Sequence, residues 1–186
     1  MFPPKLLFLN AIFVALWLLA GCVSVPPMSP GTDFSIKGKI GVVEGGESWS
    51  ARFVWRQSGE RFEIDLWGPM GQGQTRLRGT PDRLEFIDAD GDVRTSGSPE
   101  ALMLAELGWS LPLSLLLDWL QGRPSANAPV ADAISDPEGS LTGFRQLGWQ
   151  VRLERAKQAP ADAPPRRITA EKPGYRVRVV VSERGV

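Results

Sequence analysis

The acidic residues are the first place to look for chemistry. Glu63 and Asp65 fall two apart, Asp88 and Asp90 flank a turn, and Asp118 sits beside Trp119. Two carboxylates facing one substrate can do acid–base work. Here they alternate with apolar residues, the pattern of a solvated strand face. The chain has no histidine, which removes Ser-His-Asp and Cys-His catalysis and most zinc sites. Ser-Lys or carboxylate chemistry would remain open to a hydrolase, yet no such pair shares a face. Arg166-Arg167 reads as loop charge, and Gly71-Gln72-Gly73 is too short for a phosphate loop. No loop ends in Gly-Lys-Ser/Thr, so no means of using ATP is recognisable. The 21 basic residues balance the 21 acidic ones, so no strong field draws in nucleic acid. No enzyme activity, cofactor or metal is expected.

Two features hold more promise. Gly68-Pro69-Met70-Gly71 places a methionine at the tip of a turn, where polar residues are usual. Proline fixes its own φ and the glycines admit conformations that other residues avoid, so a hairpin tip should result. The methionine could fold back on its own sheet, or protrude as an apolar contact for a membrane. Its full burial would contribute ~1.5–3 kcal/mol, enough to bias an encounter. The second feature is aromatic. Trp49, Phe53, Trp55, Phe62, Phe86, Phe144 and Trp149 lie on alternating strand patterns. Such faces form a solid core or line a dry cavity for apolar guests, and periodicity alone does not separate the two.

The elements that position these residues follow from the same periodicity. Apolar residues at every second position mark strands at 34–42, 49–55, 62–66, 74–78, 84–86 and 93–95. Gly45-Gly46, Ser58-Gly59 and Asp90-Gly91 separate strands as turns. The period then changes. Ser98-Pro99-Glu100 offers a capping hydroxyl, a first-turn proline and an acid, which predicts a helix over Pro99–Leu107 ending at Gly108. A leucine-rich helix should run from Pro112 to Gly122. Arg123–Gly139 and Ala159–Pro165 read as Pro/Ala-rich loops. Strands resume at 141–146 and 149–153, near Ile168, and over 175–181. Strands, two helices and more strands predict a mostly β domain, either α+β or a barrel-like antiparallel sheet closed by helices.

The N-terminus reads as an address. Lys5 precedes an apolar run, Leu6–Leu19, that is short for a span and resembles a signal-peptide core. Leu19-Ala20-Gly21-Cys22 resembles the bacterial lipobox, and Cys22 is the chain's one cysteine. The alternative is an ordinary secretory signal or an uncleaved anchor. The lipobox implies a diacylglyceryl thioether on Cys22, cleavage before it and acylation of the new amine. Several acyl chains hold far better than one, each buried methylene contributing ~0.8 kcal/mol. Val23 lacks the aspartate that retains similar lipoproteins at the inner membrane, which favours the outer membrane. Residues 1–21 are thus expected to be the signal peptide, 22–33 the acylated cysteine and a Pro/Ser-rich tether, and 34–186 the working domain.

Several motifs follow in order: Gly38-Lys39-Ile40-Gly41, Phe53-Val54-Trp55-Arg56-Gln57, Gly68-Pro69-Met70-Gly71, Gly108-Trp109-Ser110-Leu111-Pro112-Leu113, Asp118-Trp119-Leu120-Gln121-Gly122 and Gln146-Leu147-Gly148-Trp149. Behind a lipobox, this series resembles the LolB family of outer-membrane lipoprotein receptors. The resemblance implies a mostly β (α+β) fold, an unclosed antiparallel β-barrel of about eleven strands with helices over an apolar cavity. It implies a monomer, anchored by Cys22 at the periplasmic face of the outer membrane. Such a receptor takes acylated lipoproteins from the soluble carrier LolA and inserts them into the outer membrane without ATP. In the family the protruding turn carries leucine where Met70 stands, and methionine keeps its bulk and hydrophobicity. Gly68–Gly71 is therefore expected to touch outer-membrane phospholipid. Trp49, Phe53, Trp55, Phe62, Ile64, Leu66 and Trp149 are expected on the sheet side of an acyl-chain cavity, with Leu102, Leu116 and Trp119 on its helical lid. The rival expectation is a lipid-anchored structural or assembly subunit with a solid core.

Overall fold

A computed structural model describes residues 33–71 and 73–185. The signal segment, Cys22 and all but the last residue of the tether lie outside the described residues. One sheet of eleven antiparallel strands dominates the fold: β1 (Phe34–Glu44), β2 (Glu47–Ser58), β3 (Arg61–Trp67), β4 (Thr75–Thr80), β5 (Arg83–Ile87), β6 (Val93–Ser96), β7 (Val130–Ser135), β8 (Leu141–Gln146), β9 (Trp149–Glu154), β10 (Arg167–Lys172) and β11 (Tyr175–Gly185). Between β6 and β7 come α1 (Pro99–Leu107) and α2 (Leu113–Leu120). The strand order is β6-β5-β4-β3-β2-β1-β11-β10-β9-β8-β7, so the sheet meanders outward from a central β1–β11 pair. β6 and β7 are the two ends of that order, which leaves the barrel unclosed as expected.

Register fixes which side chains face inward. Trp55 opposes Ile64, Ile64 opposes Leu77 and Leu77 opposes Phe86, so one apolar row crosses four strands. On the far half, Ile40 opposes Val179, and Val179 opposes Ile168, which opposes Leu153. All eight are buried in a single core. At the centre of the sheet, β1 approaches β11 so closely that a Cβ on Gly38 would stand 2.2 Å from the Val180 carbonyl oxygen. Only glycine fits there. Beside it the register shifts, with Lys37 opposite Glu183 and Gly38 opposite Val181. The extra residue, Ser182, donates its hydroxyl to the Lys37 carbonyl at 3.1 Å. Such a bulge bends its strand and adds twist, which a curved sheet requires.

Four expectations need correction. The Arg123–Gly139 loop contains β7, whose six residues are all exposed. An edge strand with no buried face has no alternation to betray it, and its pairing with β8 slips twice. The last strand runs on to Gly185, because the Ser182 bulge lets a polar tail stay paired with β1. Ser98 makes no side-chain cap to α1; its backbone N–H is turned to the Ser96 hydroxyl at 3.0 Å. Arg167 belongs to β10, where it pairs with Glu154 at 2.8 Å.

Asp65 also departs from its solvated reading. It lies on the outer face, but its side chain is only 3 % exposed. Arg56 and Arg76 reach it at 2.8 and 2.7 Å, and Gln74 at 3.3 Å. Burial pushes its carboxyl up, but the hydrogen bonds from Arg56 and Arg76 outweigh this and hold it below the ordinary carboxylate value. A depressed folded pKa stabilises the fold fully above the unfolded value of ~3.9, and that contribution fades as pH falls through the folded value. Asp65→Asn should therefore cost about 1–3 kcal/mol at neutral pH, a partly buried pair being discounted because both arginines are over a third exposed. The difference from the parent should shrink below pH ~4. Urea midpoints at neutral and acid pH check this.

Candidate functional site

The antiparallel path puts five turns on one rim of the sheet: β1–β2, β3–β4, β5–β6, β8–β9 and β10–β11. The β3–β4 turn is the Met70 turn. Pro69 and Met70 occupy its two corner positions, closed by the Gly71 N–H on the Gly68 carbonyl at 2.9 Å. Gly71 takes a positive φ of 84°, and Met70 is 80 % exposed. The side chain does not fold back on its sheet.

A second apolar tip shares this rim. Leu147 and Gly148 form the two-residue turn between Gln146 and Trp149, with φ of 47° and 78°. That turn suits Asn-Gly, and a leucine there carries a steric cost of ~1–2 kcal/mol. Leu147 is nonetheless 63 % exposed. The sequence reading treated Leu147-Gly148 as a turn and missed its apolar tip. The signal that could have found it is the same as for Met70, a large apolar residue beside a turn glycine.

Inside, a hollow lies between the sheet and the helices. Ile40, Phe53, Trp55, Ile64, Leu66, Leu77 and Val179 line its sheet side. Met103, Trp109, Leu111, Leu113, Leu116 and Leu120 line its helical side. Every one is apolar in character. Its volume is about 20 Å³, room for one water and for no hydrocarbon chain. In this arrangement the helices pack closely down on the sheet.

Five of the ten side chains expected at an acyl cavity meet at this hollow: Phe53, Trp55, Ile64, Leu66 and Leu116. The other five surround it without lining it. Phe62 packs on Trp55 at 6.0 Å between ring centres. Trp49 lies 4.6 Å from Trp109, and Leu102 is half-buried against the core. Trp149 meets Tyr175 edge-on at 5.4 Å under the Lys172 ammonium, 4.6 Å above its ring. Trp119 sits 6.2 Å from both Phe144 and Trp149. Sequence reasoning did not single out Leu77, Met103, Trp109, Leu111, Leu113, Leu120, Ile40 or Val179 for the hollow. Leu77 and Ile40 had the right alternation, but helix side chains need the docking angle, which no periodicity supplies.

The two helices are held unequally. α2 buries five of its eight residues. Its Trp119 N–H is bound by Gln146 at 3.0 Å, and the Arg184 guanidinium reaches the Leu120 carbonyl at 2.9 Å. α1 buries only Pro99 and Met103, rests on β5 and β6, and leaves Leu104 exposed. The linker between them is pinned. The Tyr175 hydroxyl donates to the Ser110 carbonyl at 2.6 Å and accepts from the Ser110 N–H at 3.2 Å. Burial pushes this phenol up to about 12, so it keeps its proton for both contacts. Among the described residues no helix is long and apolar enough to cross a membrane.

Residues 32–183 match the family model described as outer membrane lipoprotein LolB. The chain belongs to the LolB family. It is 39 % identical over 146 residues to the outer-membrane lipoprotein LolB of Bordetella petrii, covering 74 % of this chain and 73 % of that one. The LolB of Nitrosococcus oceani is 33 % identical over 190 residues, covering 93 % and 94 %. Among solved structures, a LolA superfamily protein from Nitrosomonas europaea aligns with a TM-score of 0.50 at 10 % identity, over 85 % of this chain and 87 % of that one. A DUF1329 family protein from Desulfovibrio piger gives 0.52 at 12 %, over 83 % and 86 %. At such identities the likeness is one of fold. This LolB family member therefore shares the half-barrel with the LolA superfamily and stands among outer-membrane lipoproteins.

Proposed function

We propose that this protein receives acylated lipoproteins from the periplasmic carrier LolA and releases them into the inner leaflet of the outer membrane. The observation that carries the reading is a hollow lined only by apolar side chains, covered by α2, the linker and Met103 of the lightly held α1, below a rim with two exposed apolar tips. Membership of the LolB family supports it. α1 is the part that lifts, since α2 and the linker are tied to the sheet. An acyl chain of ~16 carbons gains on the order of 12 kcal/mol on leaving water. A shallow hollow recovers part of that and a bilayer more, so cargo runs downhill without ATP.

Met70 and Leu147 touch the bilayer while Cys22 anchors the chain in it. The geometry permits both. β1 starts at the rim opposite Met70 and its eleven residues span ~36 Å. The twelve residues 22–33 reach at most ~40 Å when extended. The tether is long enough to run back beside the domain.

The small volume of the closed hollow favours one rival, a lipid-anchored structural subunit with a solid core. A photo-crosslinker at Phe53 decides between them. Offered LolA loaded with an acylated lipoprotein, the receptor should crosslink to that cargo and not to the same polypeptide without acyl chains. No acyl-dependent crosslink would leave the structural reading standing.

A further inference from the structure

Among the described residues, one buried side-chain nitrogen or oxygen has no hydrogen-bond partner: the indole Nε1 of Trp109. Other buried indoles of this core are satisfied, Trp55 by Gln57 and Trp119 by Gln146, each at 3.0 Å. Trp109 is 4 % exposed and lines the hollow. A buried donor left alone is costly, and a native fold that retains one needs a reason.

Its position supplies the reason. Trp109 packs at a tilt against Trp49, which lies near the start of β2, three residues from the Gly45-Gly46 turn. Its chain neighbour Ser110 is held by Tyr175, the first residue of β11. Both ties lie at the rim that carries Met70. A lipid tail entering from this rim would leave its polar head there. The pin on Ser110 would keep Trp109 in place while α1 lifts.

We propose that the Trp109 N–H is the polar end of the acyl site, donating to the ester or amide carbonyl at the head of a bound acyl chain. This rests on the acyl-binding reading above and deepens it. The donor is unsatisfied when the hollow is shut and satisfied when cargo fills it, so it biases the protein toward the loaded state. It also separates acyl chains from bare hydrocarbon, since only the former bring an acceptor.

Binding of dipalmitoylglycerol and of its dihexadecyl ether counterpart, both by displacement of a fluorescent apolar dye, tests this. The two differ in their carbonyls and match in chain length. The parent protein should prefer the diester by roughly fivefold. Replacing the Trp109 indole with its benzothiophene isostere, which exchanges N–H for sulfur, should abolish the preference. The ether should still bind, and the melting temperature should rise rather than fall, because volume is kept and a costly orphan donor is lost. Trp109→Phe should lose the preference too, with some loss of stability from its smaller ring. Equal binding of both lipids by the parent, or a preference that survives in the isostere, overturns the role of the N–H and leaves the receptor reading intact. Binding of neither lipid overturns both.

Discussion

Met70→Glu should slow delivery of lipoprotein to outer-membrane phospholipid vesicles by roughly ten- to a hundredfold while leaving cargo loading and stability unchanged. The factor follows from the ~1.5–3 kcal/mol that a buried methionine side chain contributes. Stability should hold because Met70 is 80 % exposed and its turn is closed by backbone groups. Leu147→Glu should act in the same direction, since Leu147 protrudes from the same rim. The double variant should be slower than either alone, the turns lying several strands apart and so contributing independently. Transfer from loaded receptor to vesicles, followed by flotation, reads the rate. Parental transfer by Met70→Glu would remove the turn from the mechanism. Parental transfer by Leu147→Glu alone would confine the contact to the Met70 turn.

The largest effect on stability should come from Gln146→Leu. This side chain is 1 % exposed and satisfies four groups at once. It accepts from Trp119 Nε1 and the Ser125 N–H, both at 3.0 Å, and donates to the Ser125 and Ala128 carbonyls at 2.7 and 2.9 Å. Leucine fills similar space and serves none of them. Leaving several buried groups unpaired should cost about 3–5 kcal/mol after relaxation, a large share of the ~5–15 kcal/mol that holds a domain together. The functional consequence is specific. With Trp119 released, α2 should loosen as well as α1, and an apolar dye should bind the variant more readily under native conditions. Denaturant midpoints give the first quantity and dye titration the second. A loss under ~1 kcal/mol would mean that α2 is held elsewhere.

Strands β1 to β5 were legible because their apolar positions are buried at every second residue, which writes a period of two into the chain: Phe53, Trp55 and Phe62, Ile64, Leu66 all point inward as alternation requires. β6 buries no residue and was marked instead by the Asp90-Gly91 turn before it. β7 was illegible because it buries neither face and lies in a Pro/Ala-rich stretch with no such turn before it. Both helices were marked by their prolines and by glycines past their ends, Gly108 and Gly122, which take positive φ. The motif series also pointed correctly to the LolB family. The Met70 tip was visible as an apolar residue where the backbone must turn.

The sequence by itself determined what is local: the strand faces, the turn tips, the lone cysteine after an apolar run and the lack of histidine. Only the tertiary structure decided what depends on separate segments meeting. Asp65 is buried because arginines from the neighbouring strands β2 and β4 close over it. Trp119 leaves the hollow because Gln146, 27 residues on, captures its N–H. Trp109 is left without a partner by the way separate segments pack over it. The volume of the hollow is the small remainder after large side chains interlock, and a remainder of packing is a property of the whole assembly that no single stretch of chain encodes.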